Sequence, residues 1–182
     1  EEGGTVVRVS SNPLLRESRF ASPQRLYAEG GLDRIRSDTE EKDALLLSLG
    51  INVNLAPVCD ISSDPSSFIY PRTLGQDAET TSDYIRTVVW QMKSDGIGMV
   101  LKHFPGYGGS ADTHTGQALD PRPLSDFEKN DLLPFEAGID EGAQAVLVSH
   151  NIVACLDADY PASLSPAVHA LLRGRLGFTG VV

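Results

Sequence analysis

One arrangement recurs four times along this chain and constrains its fold more than any other feature: a helical stretch, a glycine, a short apolar strand and a long polar loop. Ser37 to Leu49 reads as a helix capped by Ser37 or Asp38, with acidic residues in its first turn and Ala44, Leu45, Leu46, Leu47 and Leu49 as its buried flank. Gly50 ends it, and Ile51 to Pro57 follows as an alternating strand closed by a proline. Thr80 to Asp95 is the second helix, with Gly96 at its end and Gly98 to Phe104 as the next strand. Ser125 to Glu141 is the third, with Ser125 and Glu128 spaced as a capping box, and Gln144 to Ser149 is a continuous apolar strand. Ser165 to Leu176 is the fourth, with Pro166 at its first position, closed by Gly177 before a strand beginning at Gly180.

That cycle is the pattern of right-handed βα units around a parallel sheet. Periodicity alone leaves a barrel and a doubly wound sheet both open. In either fold, functional groups collect at the carboxyl ends of the strands, and the polar residues here cluster after the strands. The Ser-, Asp- and Pro-rich stretch from Ile61 to Asp77 lies between a strand and a helix and reads as a functional loop rather than a linker.

The densest candidate site runs from Lys102 to Gly116. Lys102 offers an ammonium to sugar hydroxyls or a carboxylate. His114 is of the residue type that can give a proton to a leaving oxygen and take one from water, and Asp112, two residues before it, could hold that imidazole in one tautomer. Each part has a plain structural alternative, since a Lys-His pair at a strand end and an Asp-x-His in a loop are often only local stabilisers. A facial metal set of His103, Asp112 and His114 is the lesser reading, because no further ligand falls at regular spacing, so no metal or other cofactor is expected. Asp60 follows the INVNLAPVC strand. Arg72 could fork onto a hydroxyl or carboxylate. His150 and Asn151 end the QAVLVS strand as contact or supporting groups, Arg8 could reach the same mouth, and His169 reads as surface.

Charge narrows the partners. With 25 acidic against 15 basic side chains, a net charge of −10 and a pI near 4.7, the chain has no basic stripe with which to displace counterions from a nucleic acid. A neutral or small polar substrate fits better. The two cysteines, Cys59 and Cys155, lie far apart in or near apolar runs and read as buried thiols. No apolar run approaches the length of a membrane span. The chain opens on Glu1-Glu2-Gly3-Gly4, so targeting and localisation are not legible, nor is oligomeric state.

These residues resemble a known family. EEGG-x-VVR, INVNLAPVCDI, PRTLGQDAE, KHFPGYG followed by DTHTG, DLLPFEAGIDEGAQAVLVSHN, and YPASLSP with LLRGRLGFTGVV are similar, in order and over the whole chain, to glycoside hydrolase family 3, and within it to the β-N-acetylhexosaminidase branch. The resemblance implies an α/β fold of the (β/α)8 TIM-barrel type, present as a partial barrel: residues 1–182 would be part of a single catalytic barrel domain, truncated at both ends and inactive alone. It implies that His114 is the acid/base with Asp112 as its partner, and that Lys102, His103, Arg8 and Arg72 bind the sugar, with His150 beside them. The β-glucosidase branch lacks the Asp-x-His. The family places one binding aspartate just before the EEGG segment and its nucleophilic aspartate just after GFTGVV, which puts the latter within about four residues after Val182 by strand alternation. Tyr107 stands where many relatives have His, and the loop is about one residue shorter. The implied activity is retaining hydrolysis of terminal β-N-acetylglucosaminides, with a carbohydrate as the partner and no cofactor. The alternatives are a phosphorylase or β-glucosidase of the same family, or a non-catalytic sugar-binding module.

Overall fold

The structure, a computed structural model, describes residues 1–108 and 118–182. Its strands run parallel and are neighbours in chain order. β1 (Val53–Asn54) pairs with β2 (Gly98–Met99), and Val58 further along bridges Lys102 in β3 (Leu101–Phe104). β3 pairs with β5 (Val146–Val148), and Ala145 just before β5 bridges Val181. A short parallel pair, β4 (Leu119–Asp120) with β6 (Ile152–Val153), lies apart from this array.

α1 (Pro23–Ser48), α2 (Ala78–Asp95) and α4 (Leu132–Glu141) pack side by side in the same succession, α1 on α2 and α2 on α4. Strands that advance one place at a time, each with its helix beside the previous helix, form a stretch of barrel wall. A doubly wound sheet would reverse its strand order and send helices to both faces. The fold is therefore the α/β TIM-barrel type.

The glycines do what the sequence pattern requires. Gly50, Gly96, Gly142 and Gly177 all have positive φ (77°, 77°, 102° and 63°) and turn the chain from each helix into its strand. Gly138 serves packing instead. A Cβ there would sit 2.7 Å from Leu101 Cδ1 and 2.9 Å from Ile85 Cγ2, so its absence lets α4 approach β3 and α2. Leu101, Phe104, Ile85, Phe135 and Leu132 are fully buried in this layer between strands and helices. On β1 and its continuation, Asn54 and Ala56 turn toward the helices, while Val53 and Leu55 point to the opposite face and stay about half exposed, at 49% and 54%.

Several boundaries differ from the sequence reading. The first helix starts at Pro23 with Ser22 as its cap rather than at Ser37, and is broken at Gly30 and Gly31, where Gly31 has φ 60°. Its buried stripe is Ile35, Asp38, Thr39, Lys42, Asp43 and Leu46, whereas Leu47 and Leu49 are exposed. The stripe is polar because Lys42 Nζ reaches the Glu2 carbonyl at 3.3 Å and Asp38 at 3.1 Å. The expected capping box at Ser125 and Glu128 does not form. α3 (Leu124–Asp126) follows Pro123, continues as a π-helical turn, Phe127–Asp131, and Glu128 is drawn away to Arg175. The Ser165 cap does form, on Val168 N–H at 3.3 Å, leading into α5 (Pro166–Ala170).

Cys155 is exposed in the turn after β6 rather than buried, while Cys59 is fully buried. His169 is half-buried and meets the Ser163 carbonyl at 3.1 Å, so it is no free surface group. No helix among the described residues is long and apolar enough to cross a membrane.

Candidate active site

Four segments deliver charged side chains to one rim, at the carboxyl ends of β1 and β3. Between Lys102 and Phe104 the β3–β5 ladder shifts register, and a bulge of this kind re-aims the side chains it carries. Lys102 and His103 leave the strand there. The loop between β1 and α2 ends in a short 3-10 turn, Tyr70–Arg72, whose last residue points back at the same place. The segment Glu1–Gly4 is fixed alongside by Asn54, which accepts from the Glu1 nitrogen at 2.7 Å and donates to the Glu1 carbonyl at 3.0 Å.

Glu2 is the centre of the cluster. Its carboxylate takes a two-pronged bond from Arg72, Nε to Oε2 at 2.9 Å and Nη2 to Oε1 at 2.7 Å, and an ion pair from Lys102 Nζ at 2.5 Å. Burial alone would raise its pKa. The Arg72 hydrogen bonds and the two neighbouring cations outweigh that and hold Glu2 below the usual carboxylate value. Arg72 is itself desolvated, which favours its neutral form, but Glu2 more than offsets this and raises it above the ordinary arginine value.

The same arginine touches His103. Arg72 Nη2 lies 3.2 Å from Nε2 of the imidazole, while His103 Nδ1 lies 2.6 Å from Asp60 Oδ2. A guanidinium has no lone pair, so Nε2 accepts and the ring proton resides on Nδ1, donated to Asp60. Asp60 is buried, takes the backbone N–H of His103 on the same oxygen at 3.2 Å, and takes the Tyr107 N–H on the other at 2.9 Å. The Tyr107 ring stands edge-on to His103 and to Phe68, with centroids 5.2 and 5.1 Å away. Glu2, Arg72, His103 and Asp60 thus form one continuous network that orients an imidazole in a single tautomer.

The candidate residues are placed as follows. Lys102, His103 and Arg72 converge, and Asp60 joins them through His103. Arg8 is exposed, bonds its own chain at the Val7 carbonyl, and lines with Glu1, Glu2 and Lys102 a cleft of about 310 Å³. His150 is exposed beyond β5 and bonds Ser163 at 2.8 Å, while Asn151 is fully buried beside Ser149. Asp112 and His114 lie outside the described residues. Among the described residues no group of three or more His, Cys, Asp or Glu side chains could hold a metal ion.

Sequence reasoning missed the part played by Glu2. The signal was there: an acidic residue before a Gly-Gly turn, in a chain whose strand-end Lys102 and Arg72 both call for a carboxylate.

Comparison with known proteins extends this geometry. The whole chain, residues 1–182, matches the glycosyl hydrolase family 3 N-terminal domain. It is 34% identical over 185 residues to a beta-hexosaminidase of Xanthomonas campestris pv. campestris, covering all of this chain and 56% of that protein, so the chain spans about half the length of this relative. Its fold superimposes on a family 3 glycosyl hydrolase of Mycobacterium smegmatis with a TM-score of 0.89 at 34% identity, covering 100% of this chain and 56% of the other. It is likewise similar to a family 3 beta-N-acetylglucosaminidase of a Paenibacillus species, with a TM-score of 0.91 at 30% identity, covering 100% and 35%.

Proposed function

Since the chain belongs to glycosyl hydrolase family 3, we propose that the protein of which it forms the catalytic barrel wall hydrolyses terminal β-linked N-acetylglucosaminides with retention of configuration. The observation that carries this reading is the strand-end network in which Lys102, His103 and Arg72 gather around Glu2 and Asp60. Such a set offers fixed donors to the hydroxyls of one sugar ring and resists collapse when a ligand enters. Arg8, which lines a cleft with Glu2 and Lys102, and His150 are assigned as further contacts. Relatives named as beta-hexosaminidase and beta-N-acetylglucosaminidase support the N-acetylated sugar.

His114, paired with Asp112, is assigned the acid/base role. It gives its proton to the departing oxygen as the C1–O bond breaks and a carboxylate bonds to C1. It then takes a proton from water, whose oxygen displaces that carboxylate. Glu2 and Asp60 are each committed to cations or to His103, so neither is free to attack. As the family resemblance implies, the nucleophile is assigned to an aspartate following Val182.

The test is a substrate series on the full-length protein and its His114→Ala variant. A general acid contributes roughly 10²- to 10⁴-fold where the leaving oxygen needs a proton and little where it does not. Turnover of methyl N-acetylglucosaminide should therefore collapse, while the dinitrophenyl glycoside is largely spared in the first step. Equal losses on both would refute the acid/base assignment. Product released as a sugar phosphate, or a preference for glucosides, would refute the proposed reaction or substrate.

A further inference from the structure

At the end of β4 lies a second set of charges to which the proposed chemistry assigns no role. β4 ends at Asp120, and Arg122 turns its guanidinium back onto that carboxylate, with Nε 3.0 Å from Oδ1 and Nη2 2.9 Å from Oδ2. The far edge of the same guanidinium grips Asp131, at the end of the π-helical turn, with Nη1 2.8 Å from Oδ2 and Nη2 3.0 Å from Oδ1. Its face lies 4.3 Å from the centroid of Phe127. Both carboxylates are buried. Only a planar fork can reach two carboxylates in this way; a lysine could neutralise them but not bridge them.

This clamp is the floor on which the chain leaving β3 rests. A Cβ on Gly106 would lie 2.6 Å from Asp131 Oδ1, and one on Gly108 would collide with Arg122 Nη2. Both glycines also have positive φ, 125° and 51°. The residue between them, Tyr107, donates its backbone N–H to Asp60 Oδ1, and Asp60 holds the Nδ1 proton of His103.

We propose that Arg122, clamped between Asp120 and Asp131, is a positioning residue: it seats the turn of residues 106–108, whose Tyr107 amide fixes Asp60 and thereby the orientation of His103 toward the sugar. The proposal rests on the reading of His103 as a substrate-binding group. It goes further by extending the site to residues that support His103 through the turn of residues 106–108.

The experiment compares Arg122→Lys, Gly108→Ala and their double variant in the full-length protein. Three quantities are measured: KM and kcat on an aryl N-acetylglucosaminide, the thermal midpoint, and the proton NMR resonance of the His103 Nδ1–H, assigned with His103→Gln. Arg122→Lys should raise KM on the order of tenfold, because a binding group has lost its seating, and should shift or broaden the resonance. Gly108→Ala, which intrudes on the same guanidinium, should do likewise, and the two should be non-additive in the double variant. Unchanged resonance and KM in a variant with a lowered thermal midpoint would reduce the triad to fold stabilisation and overturn the proposal. So would additive effects, or an Arg122→Lys protein with wild-type kinetics. Should Arg122→Lys fail to fold, Gly108→Ala carries the same readouts. A wild-type protein that cleaves no N-acetylglucosaminide would defeat the functional reading instead, and the resonance would still report on the clamp.

Discussion

Two clusters of buried charge in this molecule are built on opposite terms. At the strand carboxyl ends Glu2 is bound by two cations and Asp60 by three N–H groups, so each carboxylate is compensated. Near the carboxyl ends of α1 and α2, Asp43 is fully buried against Asp95, and neither of its oxygens has a donor among the described residues. Gln91 donates from Nε2 to the Asp95 carboxylate, 2.9 Å from each of its oxygens. Burial, with the Asp95 charge behind it, pushes the Asp43 carboxyl up to about 7, so that a proton on Asp43 can be shared with Asp95; Lys42 pulls weakly the other way. The first cluster favours the charged form of its acid and the second the neutral form. Partner supply, rather than depth of burial, decides the sign.

The sharpest way to break the contrast is Glu2→Gln. It preserves shape but leaves Arg72 and Lys102 facing one another without a carboxylate, and removal of one partner from a buried charge cluster costs about 3–5 kcal/mol. Urea denaturation at pH 7 checks it, and a loss below about 1 kcal/mol would mean that water substitutes freely for Glu2. Because Glu2 titrates below the ordinary carboxylate value when folded, its contribution is present above that ordinary value. It is lost as pH falls through the depressed one.

Asp43→Asn should act in the opposite direction. The folded protein holds a proton on Asp43 that the unfolded chain releases near 4, so the wild type loses stability as pH rises from about 4 through about 7. Asparagine is neutral throughout and can donate to Asp95. We expect it to stabilise the protein by about 2 kcal/mol at pH 8, roughly half the full shift at 1.36 kcal/mol per pH unit, and hardly at all at pH 4. Urea midpoints at the two pH values decide, and equal effects at both would dismiss the shared proton. Smaller still is Gln91→Ala, which strips Asp95 of its two bonds and should cost about 1 kcal/mol at pH 8. The Asp43 titration should move upward with it, and a titration that stays in place would uncouple Gln91 from the pair.

The contrast also explains what could be read from the sequence. Helix-ending glycines and apolar strands are local signals, and the four-fold cycle they make was legible; that Arg72 belongs with Lys102 and His103 came from the family resemblance. Which face of α1 turns inward was not legible. Its leucines suggested one flank, but Lys42 is drawn in by Asp38 and the Glu2 carbonyl, and that long-range polar contact leaves Leu47 and Leu49 outside. Likewise the barrel and the doubly wound sheet differ in strand order and in which faces carry helices, and no local pattern encodes either. Glu2 and Arg122 were overlooked for a similar reason: their partners lie 70 residues away in the first case and across a π-helical turn in the second.

That π-helical turn, Phe127–Asp131, has a consequence for how relatives of this chain can vary in length. A π turn amounts to one residue inserted into an α-helix, and each residue rotates the helix by about 100°. Here the surplus residue is what turns buried Asp131 toward Arg122 while α4 continues in phase with β3 behind it. A one-residue deletion between Phe127 and Asp131 would swing that carboxylate a quarter-turn or more out of the clamp, whereas the exposed stretch from Ser63 to Ser66 could change length and leave every residue behind it in register. Descent with insertions and deletions should therefore spare the spacing from Arg122 to Asp131 and concentrate its changes in the loop before Arg72.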